Sequence, residues 1–285
     1  MARTELTGPP SLPSLFARAA VTARGRGGDL PDTRLVRTGV TADPAQLAAY
    51  ARVCGFGLTD VLPPTFPHVL AFPLQVALMS DRSFPLALVG LVHVRNRIDV
   101  LRPIDSGEAL DLEVWAERFA THRAGATVDL CASVTAGGEE VWRGRSTYLA
   151  RKATAPEGAP AADTDVAVGD LPEGTIRWRV PDDIGRRYGR VSGDVNPIHL
   201  SALTAKALGF KRAIAHGMWV KARALAALEG RLPAAMSVDV GFRKPLFLPS
   251  TVTLATAPVR PDGWDLAVRN EKTGTEHLVG AVRPL

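Results

Sequence analysis

The chain repeats itself, and this restricts its fold more than any other feature. When the run ending in Gly55 is set on the run ending in Gly193, Tyr50 falls on Tyr188, Val53 on Val191 and Gly55 on Gly193, each 138 positions apart (188 − 50, 191 − 53, 193 − 55). Asp43 lies near the place of Asp183. A second echo sets residues 97–103 on residues 243–249, at an offset of 146 (243 − 97). After each of the two prolines, Pro103 and Pro249, comes an alternating stretch, ALDLEVWAERF in the first half and TVTLATAPV in the second. A turn follows, Ala136-Gly137-Gly138 in one half and Thr273-Gly274 in the other, with further strand-like runs around it. In the first copy, residues 34–40 alternate as a strand does, and Asp43-Pro44 caps a helical run, AQLAAYARVCG. The expected unit has two helices and several antiparallel strands and occurs twice, for which 285 residues suffice.

Between the copies, KATAPEGAPAADTDVAVGD is rich in Ala, Pro, Asp and Gly and lacks a core pattern. This divides the chain into residues 1–151, a linker at 152–172, and residues 173–285. The first 32 residues are rich in Gly, Pro and Arg and say little. SLPSLFARAAVTARGRG is read as an arm or short helix rather than a signal peptide, because Arg18 breaks its apolar stretch and no basic region precedes it.

The second copy carries what the first lacks. Residues 188–217 read YGRVSGDVNPIHLSALTAKALGFKRAIAHG and place a carboxylate, Asp194, five positions before an imidazole, His199, with Gly193, Asn196 and Pro197 shaping the backbone around them. Two proton carriers on one short turn outline an acid/base site. The same residue types also make an ordinary turn with a helix cap, in which His199 is a surface residue of the next helix; the residues alone leave both readings open. His216 is read as structural, positioning the loop before Gly217.

This stretch resembles the signature of the MaoC-like, (R)-specific 2-enoyl-thioester hydratases: an aromatic residue (Tyr188), then Gly193-Asp194-x-Asn196-Pro197-x-His199, and later Ala215-His216-Gly217, with no catalytic position substituted. The two-half layout with the motif in the second half is similar to the mycobacterial-type (3R)-hydroxyacyl-thioester dehydratases. The resemblance implies an α+β double hotdog, in which an antiparallel sheet wraps a helix in each half. It further implies a hydro-lyase that adds water to a trans-2-enoyl thioester to give the (3R)-3-hydroxyacyl thioester, or runs in reverse. Such chemistry needs a base for water, an acid for C2 and a donor for the thioester oxygen. Asp194 and His199 suit the proton work. Gly217 opens the helical run MWVKARALAALEG and suits the donor, since a free N–H there sees the favourable end of the helix dipole and a glycine allows close approach. Asn196 would orient the pair or the water, and Pro197 biases Asn196 towards an extended conformation. Thioester hydrolysis and a non-catalytic thioester-binding subunit are the rival readings.

The first copy has no such motif after Gly55, and Pro73 is expected to interrupt its apolar helix. One site per chain follows. Phe66, Leu70, Phe72, Leu74 and Leu78 are candidate walls for an acyl chain or ordinary core, and His68 and His93 are read as structural. The formal charge of +5 favours a polyanionic partner, and coenzyme A or an acidic acyl carrier protein fits it. Arg243, Lys244, Lys211 and Arg212 are candidates for its phosphates or solvated surface charges. No nucleic-acid motif, dinucleotide loop or metal-ligand spacing is present, so no metal or redox cofactor is expected. No apolar run is long enough for membrane insertion. With two cysteines, Cys54 and Cys131, in unlike segments, the expected compartment is the cytoplasm. Because two halves in one chain replace a dimer of single hotdogs, both a monomer and a homodimer are compatible.

Overall fold

Each copy opens with a strand and a short capped helix. In the computed structural model, which describes residues 2–21 and 25–285, the first copy begins with β2 (Thr33–Val40) and α2 (Pro44–Cys54). The Asp43 carboxylate accepts the Gln46 N–H at 2.7 Å, Pro44 occupies the first helical turn, and Gly55 ends the helix at φ 85°. The second copy begins with β7 (Ile176–Val180) and α4 (Ile184–Ser192), which Gly193 ends at φ 76°. Tyr50 and Tyr188, 138 positions apart, are packed against one another with ring centroids 6.1 Å apart.

A longer helix then crosses each copy's centre, and four strands complete it. In the first copy these are α3 (Phe66–Ser80), β3 (Leu91–Val100), β4 (Leu110–His122), β5 (Gly125–Ala136) and β6 (Glu139–Arg151). In the second they are α7 (Gly217–Ala226), β8 (Met236–Phe242), β9 (Ser250–Val259), β10 (Gly263–Asn270) and β11 (Glu276–Pro284), with two short helices, α5 (Pro197–Leu200) and α6 (Ala202–Ala207), ahead of α7. The strand order β2-β4-β5-β6-β3 in one half is matched by β7-β9-β10-β11-β8 in the other, and β3 pairs antiparallel with β8 to make one continuous sheet. This is the double hotdog. The sequence FPHVLAFPLQVALMS is apolar nearly all round, as suits a helix wrapped by a sheet, and thirteen of its residues are buried.

The N-terminal arm adds two elements, β1 (Ala2–Glu5), which pairs parallel with β2, and α1 (Leu12–Val21), the short helix expected there. Residues 22–24 of that arm lie outside the described residues. The segment between β6 and β7 has no helix or named strand, yet it is tied down. Ala162 N–H reaches Thr121 O at 2.7 Å, Val166 is buried against Ala267 and Val279, and Gly169 N–H meets the Asp265 carboxylate at 2.7 Å.

Two expectations are corrected. Pro73 does not interrupt the first-copy helix: α3 runs through it, and tertiary packing overrides the lost hydrogen bond. The second echo also has a different register. Leu62 N–H bonds to Ile104 O as Ala215 N–H bonds to Leu246 O, and the isolated bridges Val61–Asp105 and Ile214–Phe247 correspond. Arg102-Pro103-Ile104 therefore stands where Lys244-Pro245-Leu246 stands, an offset of 142 (244 − 102), not 146. The second stretch has two prolines, Pro245 and Pro249, and Pro103 of the first matches the former, not the latter.

The seam between the halves holds a buried cation. Lys221 on α7 is 1% exposed and donates from Nζ to Asn96 Oδ1 (2.6 Å), Asn96 O (3.2 Å) and Val238 O (3.0 Å), joining β3 to β8. Burial pushes this ammonium down to about 7, with Asp239 and Asp99 opposing. Between about pH 7 and the ordinary lysine value of 10.5, the unfolded chain therefore holds a proton that the folded chain does not. Stability should rise with pH across that window, by at most about 1.4 kcal/mol per unit. Denaturant titrations of wild type and Lys221→Met over this range should show the slope in the first and its loss in the second.

Candidate active site

The turn that ends α4 aims a carboxylate inward. Gly193 takes up the left-handed conformation, its N–H closing on Gly189 O at 2.9 Å, and the chain reverses into Asp194. Asp194 Oδ1 accepts the Asn196 N–H at 3.2 Å. Asn196 is extended (φ −54°, ψ 125°), as the following proline demands, and its side-chain oxygen caps α5 by accepting the Ile198 N–H at 3.4 Å. Asn196 thus orients Asp194 through its backbone, while its side chain starts the helix that presents His199.

His199 is buried, and its Nδ1 lies 2.8 Å from Ile214 O. A carbonyl oxygen only accepts, so Nδ1 carries the ring proton and the neutral ring keeps a lone pair on Nε2. His216 is fixed in the same way with its nitrogens exchanged: Nε2 donates to Asp194 O at 2.9 Å. The two imidazoles stack at 3.6 Å with 27° between planes, and Tyr188 packs behind His216 at 4.9 Å. Tyr188 therefore buttresses the pair from behind, and His216 ties the loop before Gly217 to the Asp194 backbone.

Burial dominates the electrostatics. It raises the Asp194 carboxyl above the usual aspartate value, against the pull of His199 and of the Asn196 N–H, and it lowers His199 despite the Asp194 charge. His216 is lowered well below the ordinary value for the same reason. The Asp194 side chain keeps 26% of its surface open, and that opening is onto the cavity it lines. His199 is accordingly a neutral base at neutral pH, beside a carboxylate whose proton affinity is raised towards it.

Gly217 is the first residue of α7, with His216 at the cap. Among the described residues nothing accepts its N–H, which points outward from the positive end of the helix. A Cβ at this position would lie 2.8 Å from the Phe242 ring, so any other residue would have to displace that ring.

Asp194, His199 and Gly217 share one cavity of about 930 Å³ with residues of the first half, among them His68, His93 and Tyr148. His68 and His93, read as structural, both line this cavity. Of the five candidate wall residues only Phe72 does so; Phe66, Leu70, Leu74 and Leu78 are buried in the core, because α3 turns just one face to the cavity. Arg243 and Lys244 stand at its rim with Arg123 and Arg151, whereas Lys211 and Arg212 are exposed outside it. Arg243 is paired with linker Asp165 at 2.7 Å. Tyr148 and Lys221 were not singled out from sequence, since each sits in an unremarkable strand or helix and gains meaning only from partners far along the chain.

Side-chain donor atoms of Asp194, His199 and His216 lie within 4.8 Å of one another, near enough to draw a metal ion into consideration. Yet His199 Nδ1 and His216 Nε2 face carbonyl oxygens, and in-plane lone pairs on stacked rings run side by side rather than converging.

The first copy lacks the segment that carries the site. From Gly55 to Leu62 is 7 residues (62 − 55), and from Gly193 to Ala215 is 22 (215 − 193); the additional 15 carry α5, α6 and the imidazole. Pro64 stands where Gly217 stands (217 − 64 = 215 − 62), so that half lacks the free N–H as well.

A family model described as MaoC like domain matches residues 153–281. The chain is 36% identical to 3-hydroxyacyl-thioester dehydratase X of Mycobacterium tuberculosis over 282 residues, 98% of this chain and 100% of that protein. The crystal structure of HtdX from Mycobacterium tuberculosis has a TM-score of 0.79 at 36% identity, covering 88% of this chain and 100% of that one. A MaoC-like dehydratase from Phytophthora capsici shares the fold at 20% identity, with a TM-score of 0.72 over 90% of this chain and 96% of that one. With similarity that runs nearly end to end and includes the acid/base segment, the chain belongs to the MaoC-like dehydratase family.

Proposed function

We propose that the protein is a hydro-lyase that interconverts trans-2-enoyl and (3R)-3-hydroxyacyl thioesters in fatty-acid or related acyl metabolism. The observation that carries this reading is the pairing of a neutral His199, its free lone pair on Nε2, with the Asp194 carboxylate beside an unpaired Gly217 N–H, all in one cavity. A water accepted between Nε2 and the carboxylate presents its oxygen to C3 of the enoyl group. As the O–C3 bond forms, one of the two bases takes a proton and the C2=C3 electrons move onto the thioester oxygen, which Gly217 N–H stabilises. Return of that proton to C2 completes hydration; dehydration retraces the steps. No metal is needed for any of them.

The rim cations support a coenzyme A or acyl-carrier-protein thioester as substrate. Both cysteines are free and buried, in keeping with a cytoplasmic enzyme, and no helix of the described residues is long and apolar enough to cross a membrane. A homodimer of this chain is compatible with the fold.

Loss of enoyl-thioester absorbance on adding the protein to trans-2-enoyl-CoA esters of increasing length tests the reading. Release of free thiol in place of hydration would transfer it to hydrolysis. The pH dependence is a second check. Both bases must be unprotonated, His199 is held low and Asp194 is held high, so kcat/KM should climb on an acid limb set above the ordinary aspartate value. An acid limb at or below that value contradicts the proposed ionisation.

A further inference from the structure

The linker lays two carboxylates along the rim of the cavity. Ahead of them it is fastened to the end of β4, where Thr121 N–H bonds to Pro160 O (2.8 Å) and Ala162 N–H to Thr121 O (2.7 Å). Beyond them Val166 is buried against Ala267 and Val279. Between these anchors stand Asp163 and Asp165, each on an arginine, and Asp165 itself lines the cavity.

The two pairs differ in kind. Arg95 is spent on the seam: it donates Nε and Nη2 to the Asp239 carboxylate (3.0 and 2.7 Å) and places Nη1 on Asp163 O (3.1 Å) and Oδ2 (2.8 Å). Arg243 has a single hydrogen-bond partner among the described residues, Asp165 Oδ1 at 2.7 Å, and the two side chains are 35% and 88% exposed. So exposed a pair shifts an equilibrium by about fivefold at most, and the buried anchors hold the linker without it. Around it Arg123, Arg151 and Lys244 line the same rim and make no ion pair among the described residues. Arg243 foremost, then Arg123 and Arg95, hold the Asp165 carboxyl below the ordinary aspartate value, so at neutral pH it is an anion set among cations.

Arg243 directly follows Phe242, the residue whose ring lies against Gly217. With the thioester oxygen on Gly217 N–H, the pantetheine arm runs out past this ring to the rim. In coenzyme A and acyl carrier protein alike the arm ends in a phosphate. A phosphate offers a guanidinium the same pair of anionic oxygens as a carboxylate does. We infer that Asp165 is a built-in stand-in for that phosphate: the substrate takes over Arg243 while the carboxylate turns out to solvent, and the competition sets how strongly phosphate-bearing carriers are preferred. Asp165 thus acts on the substrate through Arg243 rather than by touching it. The inference rests on the proposed thioester substrate.

Three saturated ligands test it: butyryl-pantetheine, butyryl-4′-phosphopantetheine and butyryl-CoA, titrated calorimetrically into wild type, Asp165→Asn, Arg243→Gln and the double variant. The readout is the affinity ratio of each phosphorylated ligand to butyryl-pantetheine, from which a general change in the shape of the rim cancels. Asp165→Asn should raise this ratio about threefold to fivefold for both phosphorylated ligands, the worth of the exposed pair it removes. Arg243→Gln should lower the ratio and abolish most of the Asp165→Asn effect in the double variant. A ratio that is unchanged or reduced in Asp165→Asn, or a gain that persists without Arg243, would overturn the exchange. A gain with butyryl-CoA alone would overturn the assignment to the phosphate of the arm. Because both side chains are solvent-exposed, the variants should keep the thermal midpoint of wild type. Turnover of enoyl-CoA is measured separately: the shifted ratio without turnover would keep the exchange and remove the reaction, whereas no binding of any ligand would remove the thioester reading and this inference with it.

Discussion

Asp194→Asn should lower kcat by about a thousandfold while leaving the affinity for enoyl thioester within a few-fold of wild type. The substitution keeps the shape of the side chain and an oxygen able to accept the Asn196 N–H, so the turn persists. What disappears is the charge. Without it the amide cannot take a proton from water, and His199 loses the anion that raises its proton affinity in a buried site. The asparagine variant should also lose the part of the acid limb set by Asp194, leaving only that set by His199. Single-turnover rates together with binding of a saturated thioester analogue separate the two effects; retained turnover would remove Asp194 from the proton work, whereas lost binding would make its role structural.

Gly185→Ala is expected to be nearly as damaging to turnover, from a position that touches no substrate. A Cβ at Gly185 would lie 2.0 Å from the His199 carbonyl oxygen and 3.0 Å from its carbonyl carbon, so α4 and α5 approach at a distance only glycine permits. Alanine is favoured over glycine in a helix by about 1 kcal/mol, but relieving a backbone overlap costs about 1–3 kcal/mol, so the net effect should be destabilising. Displacing His199 by about 1 Å should in addition lower kcat about a hundredfold. Gly189→Ala, whose Cβ would lie 2.9 Å from Asp194 O, should show a milder version, and Gly107→Ala, with nothing within 4 Å, should be neutral. Thermal midpoints and kcat for the three, measured together, give the order; a Gly185→Ala protein as stable and active as wild type would contradict this account of the packing.

Those two positions mark different depths of legibility. Asp194 stands out in a motif because the turn that holds it is built by its immediate neighbours: Gly193 for the left-handed reversal, Asn196 for the cap and Pro197 for the extended entry. Gly185 carries no such mark. Its importance comes from a carbonyl fourteen residues later in chain and 2.0 Å away in space. The same contrast separates the two echoes. The one ending in Gly55 and Gly193 was aligned correctly because each glycine terminates a helix at positive φ, a local demand. The one around Pro103 was misaligned, since its register is set by hydrogen bonds from Leu62 and Ala215, which lie in another part of each copy.

By itself the sequence determined the duplicated α+β plan, the helix caps and the asymmetry between the halves, and its resemblance to a family grouped Asp194, His199 and Gly217; the caps and the turn at Asp194 follow from chemistry within a few residues. Tertiary structure alone decided which tautomer His199 adopts, through Ile214 O, and that α3 continues through Pro73. It also decided that His93 and Tyr148 of the first half line the cavity that holds the dyad of the second. The physical reason is the same in each case: proton placement, pKa and burial depend on which distant groups the packed sheet brings within a few ångströms. A linear pattern of residues carries no distances across the seam between β3 and β8.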